Sequence, residues 1–167
     1  VTDLMYEDKI PDIEVWPDEV DFGKVYNEKL SVSVIVSNVG QGILDIDEVS
    51  LTSLPSYNIE SIGDVVIWPG KSMEVIVSFE PIDNSVHNSK LKIVSNDPDE
   101  PWKQVNLVGE GVIPEIDVTP LAYDFGVLEA GCEDAEMIQV TNLGDADLIV
   151  SQIQDLMSDG DLVIDKL

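Results

Sequence analysis

The chain has 167 residues, with 34 acidic residues against 8 lysines and no arginine, which gives a formal net charge of −26. This charge repels phosphate groups, so nucleic acid and anionic membranes are excluded as partners. No stretch reaches the ~20 apolar residues of a membrane-spanning helix, so membrane insertion is not expected. The single cysteine, Cys132, rules out an intramolecular disulfide, and we interpret it as an incidental thiol.

Apolar and polar residues alternate with a period of two along most of the chain, which predicts strands with one buried and one exposed face. The pattern is clear in residues 30–36, where leucine and valines alternate mainly with serines. In residues 44–51 the apolar phase changes after Ile46, which predicts a β-bulge or a strand that changes sheets. Further strands are predicted at residues 73–79, 91–93 and 105–107. Because no segment has the period of a helix, we predict an all-β sandwich.

The sequence repeats itself after about one hundred residues. Residues 10–15 (IPDIEV) return as residues 113–118 (IPEIDV), and Asp21-Phe22-Gly23 returns as Asp124-Phe125-Gly126, both at an offset of 103. A period of this length corresponds to a whole domain. Phe22 and Phe125 are expected to fill the ends of their sandwiches, with a glycine next for a tight bend. We therefore predict an N-terminal extension, a complete sandwich and the first half of a second sandwich: residues 1–10, 11–112 and 113–167.

The second copy has no counterpart of residues 65–112, which are predicted to form the closing strands of the first. A sandwich without these strands has an open core and unpaired edges, so it should not be stable alone. Three explanations stay open: the natural chain continues, another chain donates strands, or two chains exchange them. The first is the simplest, and we expect the natural protein to be a longer array.

Three segments of the first copy resemble a known family. Residues 68–81 (WPGKSMEVIVSFEP) resemble a segment of the abnormal-spindle/hydin (ASH) family, whose bacterial relatives include the choice-of-anchor D type surface proteins. Residues 93–101 (IVSNDPDEP) and 105–111 (VNLVGEG) resemble the end of the ASH domain. The resemblance implies tandem immunoglobulin-like β-sandwiches, one complete and one incomplete here, that serve as non-enzymatic modules. It implies no catalytic residues, since the family has no shared catalytic set.

Four residues are candidates for binding a partner. Ile35 and Ile76 lie on the exposed side of strands that are neighbours in an immunoglobulin-like arrangement, so they can form one patch on the outer face. Trp16 and Trp102 adjoin prolines at predicted loop edges and can anchor a protein or a sugar. The alternative for all four is ordinary partial burial on the surface of their own module.

Catalytic and metal-binding groups are sparse. The only histidine, His87, lies in a predicted loop with no nucleophile nearby in sequence, and a zinc site shared with Cys132 would need ligands from two modules. We therefore predict no enzyme and no cofactor, with calcium as the one exception to test. Its ligands would be three carboxylates at the module junction: Glu110, Glu115 and Asp117. Two other acidic groups are interpreted as solvated loops: Asp97, Asp99 and Glu100, and Asp155, Asp159, Asp161 and Asp165.

These observations predict a non-catalytic structural or adhesion module that spaces or displays parts of a larger surface or virion protein. Its expected partners are other domains of the same chain, copies of itself, or another protein. The expected location is extracellular or at a cell or virion surface. The alternative is a cytoplasmic scaffold that binds a partner peptide by adding a strand to a sheet edge.

Overall fold

The structure, a computed structural model, describes residues 9–154. It divides the chain into two units, Val1–Val112 and Ile113–Leu167, which we call the first and the second unit. The described residues form β-strands and no helix. None of them therefore belongs to a helix that could cross a lipid bilayer.

Nine strands form in the described part of the first unit. They are β1 (Ile13–Trp16), β2 (Glu19–Val25), β3 (Leu30–Asn38), β4 (Leu44–Leu51), β5 (Tyr57–Ile62), β6 (Val66–Ile67), β7 (Ser72–Phe79), β8 (Val86–Ser95) and β9 (Trp102–Gly111). The alternating sequence gives most of them one buried face, because successive side chains of a strand point to opposite sides. In β3, Val34 and Val36 are buried, whereas Ser31 and Ser33 are exposed.

The nine strands form two sheets. The first sheet has the order β1-β3-β7-β5, and all its pairs are antiparallel. The second sheet has the order β2-β9-β8-β4-β6, and its pairs are antiparallel except β2 with β9, which is parallel. The predicted β-bulge is confirmed by a register shift between Ile46 and Glu48, where β4 pairs with β8.

The core of the first unit takes side chains from both sheets. The Phe79 ring lies 4.9 Å from the Tyr57 ring and 5.4 Å from the Phe22 ring, measured between centroids. Phe22 is buried in this group. A Cβ on Gly109 of β9 would lie 2.5 Å from the Phe79 ring, so the position needs glycine. The other large, fully buried side chains are Ile13, Leu44, Leu91, Ile93, Leu107, Val25, Val34, Val36, Val75, Val77 and Val105.

The Asp-Phe-Gly triplet makes the same turn in both units. The amide of Gly23 donates a hydrogen bond of 2.8 Å to Asp21 Oδ1, and Gly23 has a φ of 68°. The amide of Gly126 donates to Asp124 Oδ1 at 2.8 Å, and Gly126 has a φ of 65°. A positive φ of this size is costly for residues with a Cβ, which explains the glycine in each turn.

Two strands form in the described part of the second unit. They are β10 (Ile116–Thr119) and β11 (Gln139–Asn142). They pair antiparallel with Ile116 opposite Asn142. In the first unit β1 and β3 pair with Ile13 opposite Asn38. These positions correspond in the sequence repeat, so the two strand pairs have the same register.

Candidate functional site

The outer face of the first sheet carries three of the four residues predicted to bind a partner. Trp16 of β1 lies directly opposite Ile35 of β3. Ile76 of β7 lies opposite Ser33, which places it one diagonal step from Ile35. We call Trp16, Ile35 and Ile76 the outer-face stripe. Trp16 is 74% exposed and the two isoleucines are half-buried, so the stripe presents apolar surface to solvent.

Polar residues border the outer-face stripe. Ile35 lies opposite Glu74, and serines occupy the neighbouring outward positions of β3 and β7. A small apolar strip with a polar rim has the composition of a protein-contact surface. In the second unit the positions of Trp16 and Ile35 are taken by Thr119 and Gln139. The stripe is therefore particular to the first unit, and its binding role stays a prediction.

Trp102, the fourth candidate, does not lie with the other three. It begins β9 in the second sheet, where it is exposed and pairs with Val94 of β8. The next core-facing residue of this strand is Val105, so Trp102 points away from the core. Trp102 and the outer-face stripe therefore lie on the outer faces of different sheets.

The three predicted calcium ligands are divided between the units. Glu110 lies in β9 opposite Val86, whereas Glu115 precedes β10 and Asp117 lies within β10. Calcium binding by these residues stays a prediction, which a calorimetric titration of the chain with calcium chloride checks. The acidic residues between positions 155 and 165 lie outside the described residues.

A different group of carboxylates gathers in the first unit. The side-chain oxygens of Asp12, Asp97 and Glu100 lie within 4.8 Å of one another. Asp97 was predicted to lie in a solvated acidic loop, and this prediction is wrong, because Asp97 is only 2% exposed. The loop between β8 and β9 folds inward, so that this carboxylate contacts the start of β1.

The Asp97 carboxylate accepts hydrogen bonds from three backbone amides. Its Oδ2 accepts from the Ile13 amide at 2.8 Å. Its Oδ1 accepts from the amides of Asp99 at 3.2 Å and Glu100 at 3.3 Å. Such amides would otherwise be poorly satisfied at a loop and a strand start. We call this arrangement the Asp97 clasp, since it fastens β1 to the β8–β9 loop.

The protonation behaviour of the loop follows from the clasp. Burial raises the pKa of Asp97, but hydrogen bonds from the amides of Ile13, Glu100 and Asp99 outweigh it, so this pKa lies below its ordinary value. A hydrogen bond with the Asp97 carboxyl, together with its charge, raises the pKa of Asp99. Asp97 is therefore ionised at neutral pH, and its charge stabilises the backbone around it.

His87 was predicted to lie in a loop, and this prediction is also wrong. It is the second residue of β8 and lies opposite Gly109, because pairing with the long β9 extends the strand into the turn region. Its Nδ1 lies 3.1 Å from Ser56 Oγ, and its Nε2 lies 3.2 Å from Asp83 Oδ1. The fold thus brings a serine and an aspartate to the histidine from distant parts of the sequence.

The Ser56–His87–Asp83 group lacks the access that a catalytic serine needs. Ser56 is only 4% exposed. The Tyr57 hydroxyl donates to the His87 carbonyl at 2.8 Å, which ties the same strands together. These contacts therefore hold β5 and the β7–β8 turn against β8.

Asn38, which the sequence analysis did not single out, is another buried polar residue that joins separate segments of the first unit, as Asp97 does. Its Nδ2 donates to the carbonyls of Gly42 at 2.7 Å and Ile67 at 2.8 Å. Its Oδ1 accepts from the amides of Gly40 at 3.0 Å and Asp12 at 3.4 Å. One side chain therefore joins the end of β3 to β6 and to the segment before β1.

Two facing sheets with this strand order and a shared apolar core define an immunoglobulin-like β-sandwich. The family model of the HYDIN/CFA65/VesB-like Ig-like domain matches residues 11–110, and the chain belongs to this family. The predicted all-β immunoglobulin-like fold and the ASH resemblance are thereby confirmed. Domains of this family are non-catalytic modules in general.

Solved structures are similar to part of the chain. A protein of unknown function from Porphyromonas gingivalis W83 matches with a TM-score of 0.56 and 20% identity, over 61% of this chain and 47% of that one. The ASH/PapD-like domain 7 of human CEP192 matches with a TM-score of 0.52 and 12% identity, over 62% of this chain and 87% of that one. The secreted serine protease VesC from Vibrio cholerae matches with a TM-score of 0.49 and 14% identity, over 65% of this chain and 24% of that one. No curated protein sequence matches the chain significantly.

Proposed function

We propose that the chain is a non-catalytic structural module that bears mechanical load while it spaces or displays parts of a larger protein at an extracellular, cell or virion surface. The observation that carries this proposal is the parallel pairing of β2 with β9. These strands lie near the two ends of the first unit, where the chain enters and leaves it.

Force along the chain loads this strand pair in shear. Glu19 pairs with Asn106 at one end of the pair, and Val25 pairs with Gly111 at the other. Tension first reaches β1, which pairs with β3. Beyond β1 it acts on the start of β2 and on the end of β9, so it pulls on opposite ends of two parallel strands. All hydrogen bonds between them then resist together. A pair pulled from the same end would instead open one bond at a time.

Backbone hydrogen bonds close both ends of the pair. The Asn106 amide donates to the Asp18 carbonyl at 2.9 Å, and the Val112 amide donates to the Val25 carbonyl at 3.1 Å. Buried side chains from both strands, including Val20 and Leu107, anchor the pair in the core. Rupture therefore requires the loss of hydrogen bonds and of apolar contacts in one step.

The alternative, binding a peptide by strand addition, is less well supported in the first unit. A sheet edge accepts a strand only when it is long and regular. The edge strand β6 has two residues, β1 has four and is followed by Pro17, and β2 has a register shift between Asp21 and Lys24. The edge strand β5 has a shift at Glu60, where hydrogen bonds from Ser78, Asn58 and Lys29 lower the pKa of Glu60 to about 2. The charged Glu60 carboxylate therefore opposes the addition of another strand at this edge.

A protein partner is better placed on the outer-face stripe than on an edge. The stripe combines the exposed indole of Trp16 with two half-buried isoleucines and a polar border. Aromatic side chains of this kind supply much of the binding energy at protein interfaces. The surface location is supported by the resemblance to surface proteins, and protease treatment of intact cells or virions of the source tests it.

The test of load bearing is single-molecule pulling of the full chain from its two ends. Two matched variants separate mechanical from thermodynamic effects: Val20→Ala in β2 and Val77→Ala in the inner strand β7, both of which truncate a buried valine. Each should cost about 2 kcal/mol of unfolding free energy. We expect Val20→Ala to lower the rupture force of the first unit clearly more than Val77→Ala does. Equal reductions would contradict the proposal.

A further inference from the structure

The outer face of the second sheet differs in chemistry from the outer-face stripe. Along β9 the outward side chains are an indole followed by two amides, and along β8 they are an amide followed by two lysines. The pairing of these strands sets the side chains in adjacent rows, with Lys90 opposite Asn106 and Lys92 opposite Gln104. We call this group the amide face, and its members are Trp102, Gln104, Asn106, Asn88, Lys90 and Lys92.

An open groove of about 410 Å³ crosses the amide face. Asn88, Lys90 and Asn106 line it from β8 and β9. Thr52, which follows β4, and Glu19 of β2 line its sides. Amides and hydroxyl groups donate and accept hydrogen bonds, a lysine donates them and a carboxylate accepts them. The groove therefore offers both donors and acceptors to a polar ligand.

The polar groups of this face are hardly used within the protein. Among the described residues, no hydrogen bond reaches the side chains of Asn88 and Asn106. Gln104 has one long contact, because its Oε1 accepts from Lys90 Nζ at 3.5 Å. No carboxylate in the described part of the chain forms an ion pair with Lys90 or Lys92. These donors and acceptors are therefore free to contact a bound molecule.

Trp102 lies at one end of the amide face and is held there by the backbone. Its side chain is 53% exposed. The carbonyl of Pro101, directly before it, accepts from the Ser95 amide at 3.0 Å, which fixes the start of β9. Along the strand, Trp102 lies about 14 Å from Asn106 in the groove. An extended oligomer can therefore contact the indole with one of its rings and the groove with the others.

The charges of this face favour a neutral ligand. Lys90 and Lys92 lie in its centre, whereas the carboxylates of Glu19, Asp21 and Glu48 lie on the flanking strands. The central lysines repel a basic peptide, and the net charge of −26 repels an anionic polymer. Lysine is also depleted at the centres of protein interfaces. A neutral molecule with many hydroxyl groups meets none of these penalties.

We propose that the amide face binds a neutral, β-linked glycan that lies along β9. The apolar face of one sugar ring would pack on the indole of Trp102. Hydroxyl groups of the following rings would exchange hydrogen bonds with Gln104, Asn106 and Asn88. An extended, ribbon-like glycan suits this arrangement because the contacting side chains form a row along one strand. This inference does not depend on the load-bearing function proposed above.

Isothermal titration calorimetry of the full chain with cellohexaose and with chitohexaose tests the proposal. At least one of these two neutral glycans should bind, and Trp102→Ala should weaken that binding at least about tenfold. Asn106→Ala should weaken it about two- to tenfold, since one hydrogen-bonding side chain is lost. The matched control is Trp68→Ala, which removes another exposed indole of the first unit and should bind like the original chain.

Salt and an acidic glycan separate neutral from ionic recognition. Raising the salt from about 0.1 M to about 1 M shortens the Debye length from about 10 Å to about 3 Å, and the affinity should change less than about twofold. Polygalacturonate should not bind. Urea unfolding of each variant verifies that it is folded, and should Trp102→Ala not fold, Asn106→Ala takes its place in the comparison. The proposal is overturned if neither neutral glycan binds, if polygalacturonate alone binds, or if Trp102→Ala and Trp68→Ala have equal affinities.

Discussion

Replacement of Asp97 by asparagine tests the polar contacts that close the first unit. Asp97→Asn keeps the size of the side chain but removes its charge, and whichever way the amide group points, an N–H₂ group faces backbone amides that need an acceptor. Hydrogen bonds to a charged group contribute about 1.5–3 kcal/mol, so we expect a loss of about 2–3 kcal/mol of unfolding free energy. Because three amides donate to this carboxylate at 2.8–3.3 Å, we expect a loss in the upper part of this range.

Urea unfolding followed by tryptophan fluorescence measures this loss. All three tryptophans, Trp16, Trp68 and Trp102, belong to the first unit, so the signal reports on that unit alone. With a slope of about 1–3 kcal/mol per molar urea, the midpoint should fall by about 1–3 M. The control is Asp64→Asn, an exposed aspartate of the same unit, which should change the free energy by less than about 0.5 kcal/mol. Equal effects of the two variants would refute the clasp.

The pH dependence of the stability difference between the original chain and Asp97→Asn gives an independent check. The pKa of Asp97 is lower in the folded than in the unfolded chain, so its contribution is complete above the unfolded value of about 4 and disappears as the pH falls through the folded value. The stability difference between the original chain and Asp97→Asn should therefore be constant near neutral pH and shrink below about pH 4. A difference that stays constant down to the acid transition would contradict an ionised clasp.

Three further predictions concern single contacts in the first unit. Asn38→Ala should lower the unfolding free energy of the first unit by about 3 kcal/mol, since four hydrogen bonds are lost in a buried site. The matched variant Asn142→Ala should leave tryptophan-detected unfolding unchanged. Gly109→Ala should cost about 1–3 kcal/mol because its Cβ meets the Phe79 ring, and Phe79→Leu in the same chain should recover part of this loss in a double-mutant cycle. Burial and the charge of Asp21 raise the pKa of Tyr57 to about 12. The stability that the neutral phenol contributes is therefore complete below about pH 10 and declines towards pH 12. Tyr57→Phe should remove this alkaline decline, and an unchanged alkaline profile in the variant would refute the prediction.

Local sequence patterns predicted the sheets because alternation depends on neighbours along the chain. The valines of β3 and the phase change at Ile46 define buried faces and a bulge without knowledge of any partner strand. Alternation also placed Ile35 and Ile76 on the exposed sides of their strands, and the immunoglobulin-like arrangement made these strands neighbours. The register of β3 and β7 reproduces both expectations.

The polar residues that join separate segments could not be predicted in this way, because their hydrogen-bond partners are distant in the sequence. Asp97 binds an amide 84 residues away, and His87 meets Ser56 at a separation of 31 residues. Turn-forming residues before His87 indicated a loop, but pairing with β9 overrides that local preference. The one available signal for Asn38 was its return as Asn142 at the same place in the repeat. The parallel β2–β9 pair likewise depends on strand order, which local patterns do not specify.

The direction in which the first unit resists force tests the central claim most directly. In a Cys132→Ser background, one chain is pulled from its ends and a second from cysteines introduced by Asp18→Cys and Lys103→Cys, which lie at the same end of β2 and β9. Both chains have the same fold, so only the loading geometry differs. End-to-end pulling, which shears the parallel pair, should rupture the first unit at a clearly higher force than pulling from positions 18 and 103, which opens it bond by bond. Equal forces in the two directions would contradict a load-bearing role for this strand pair.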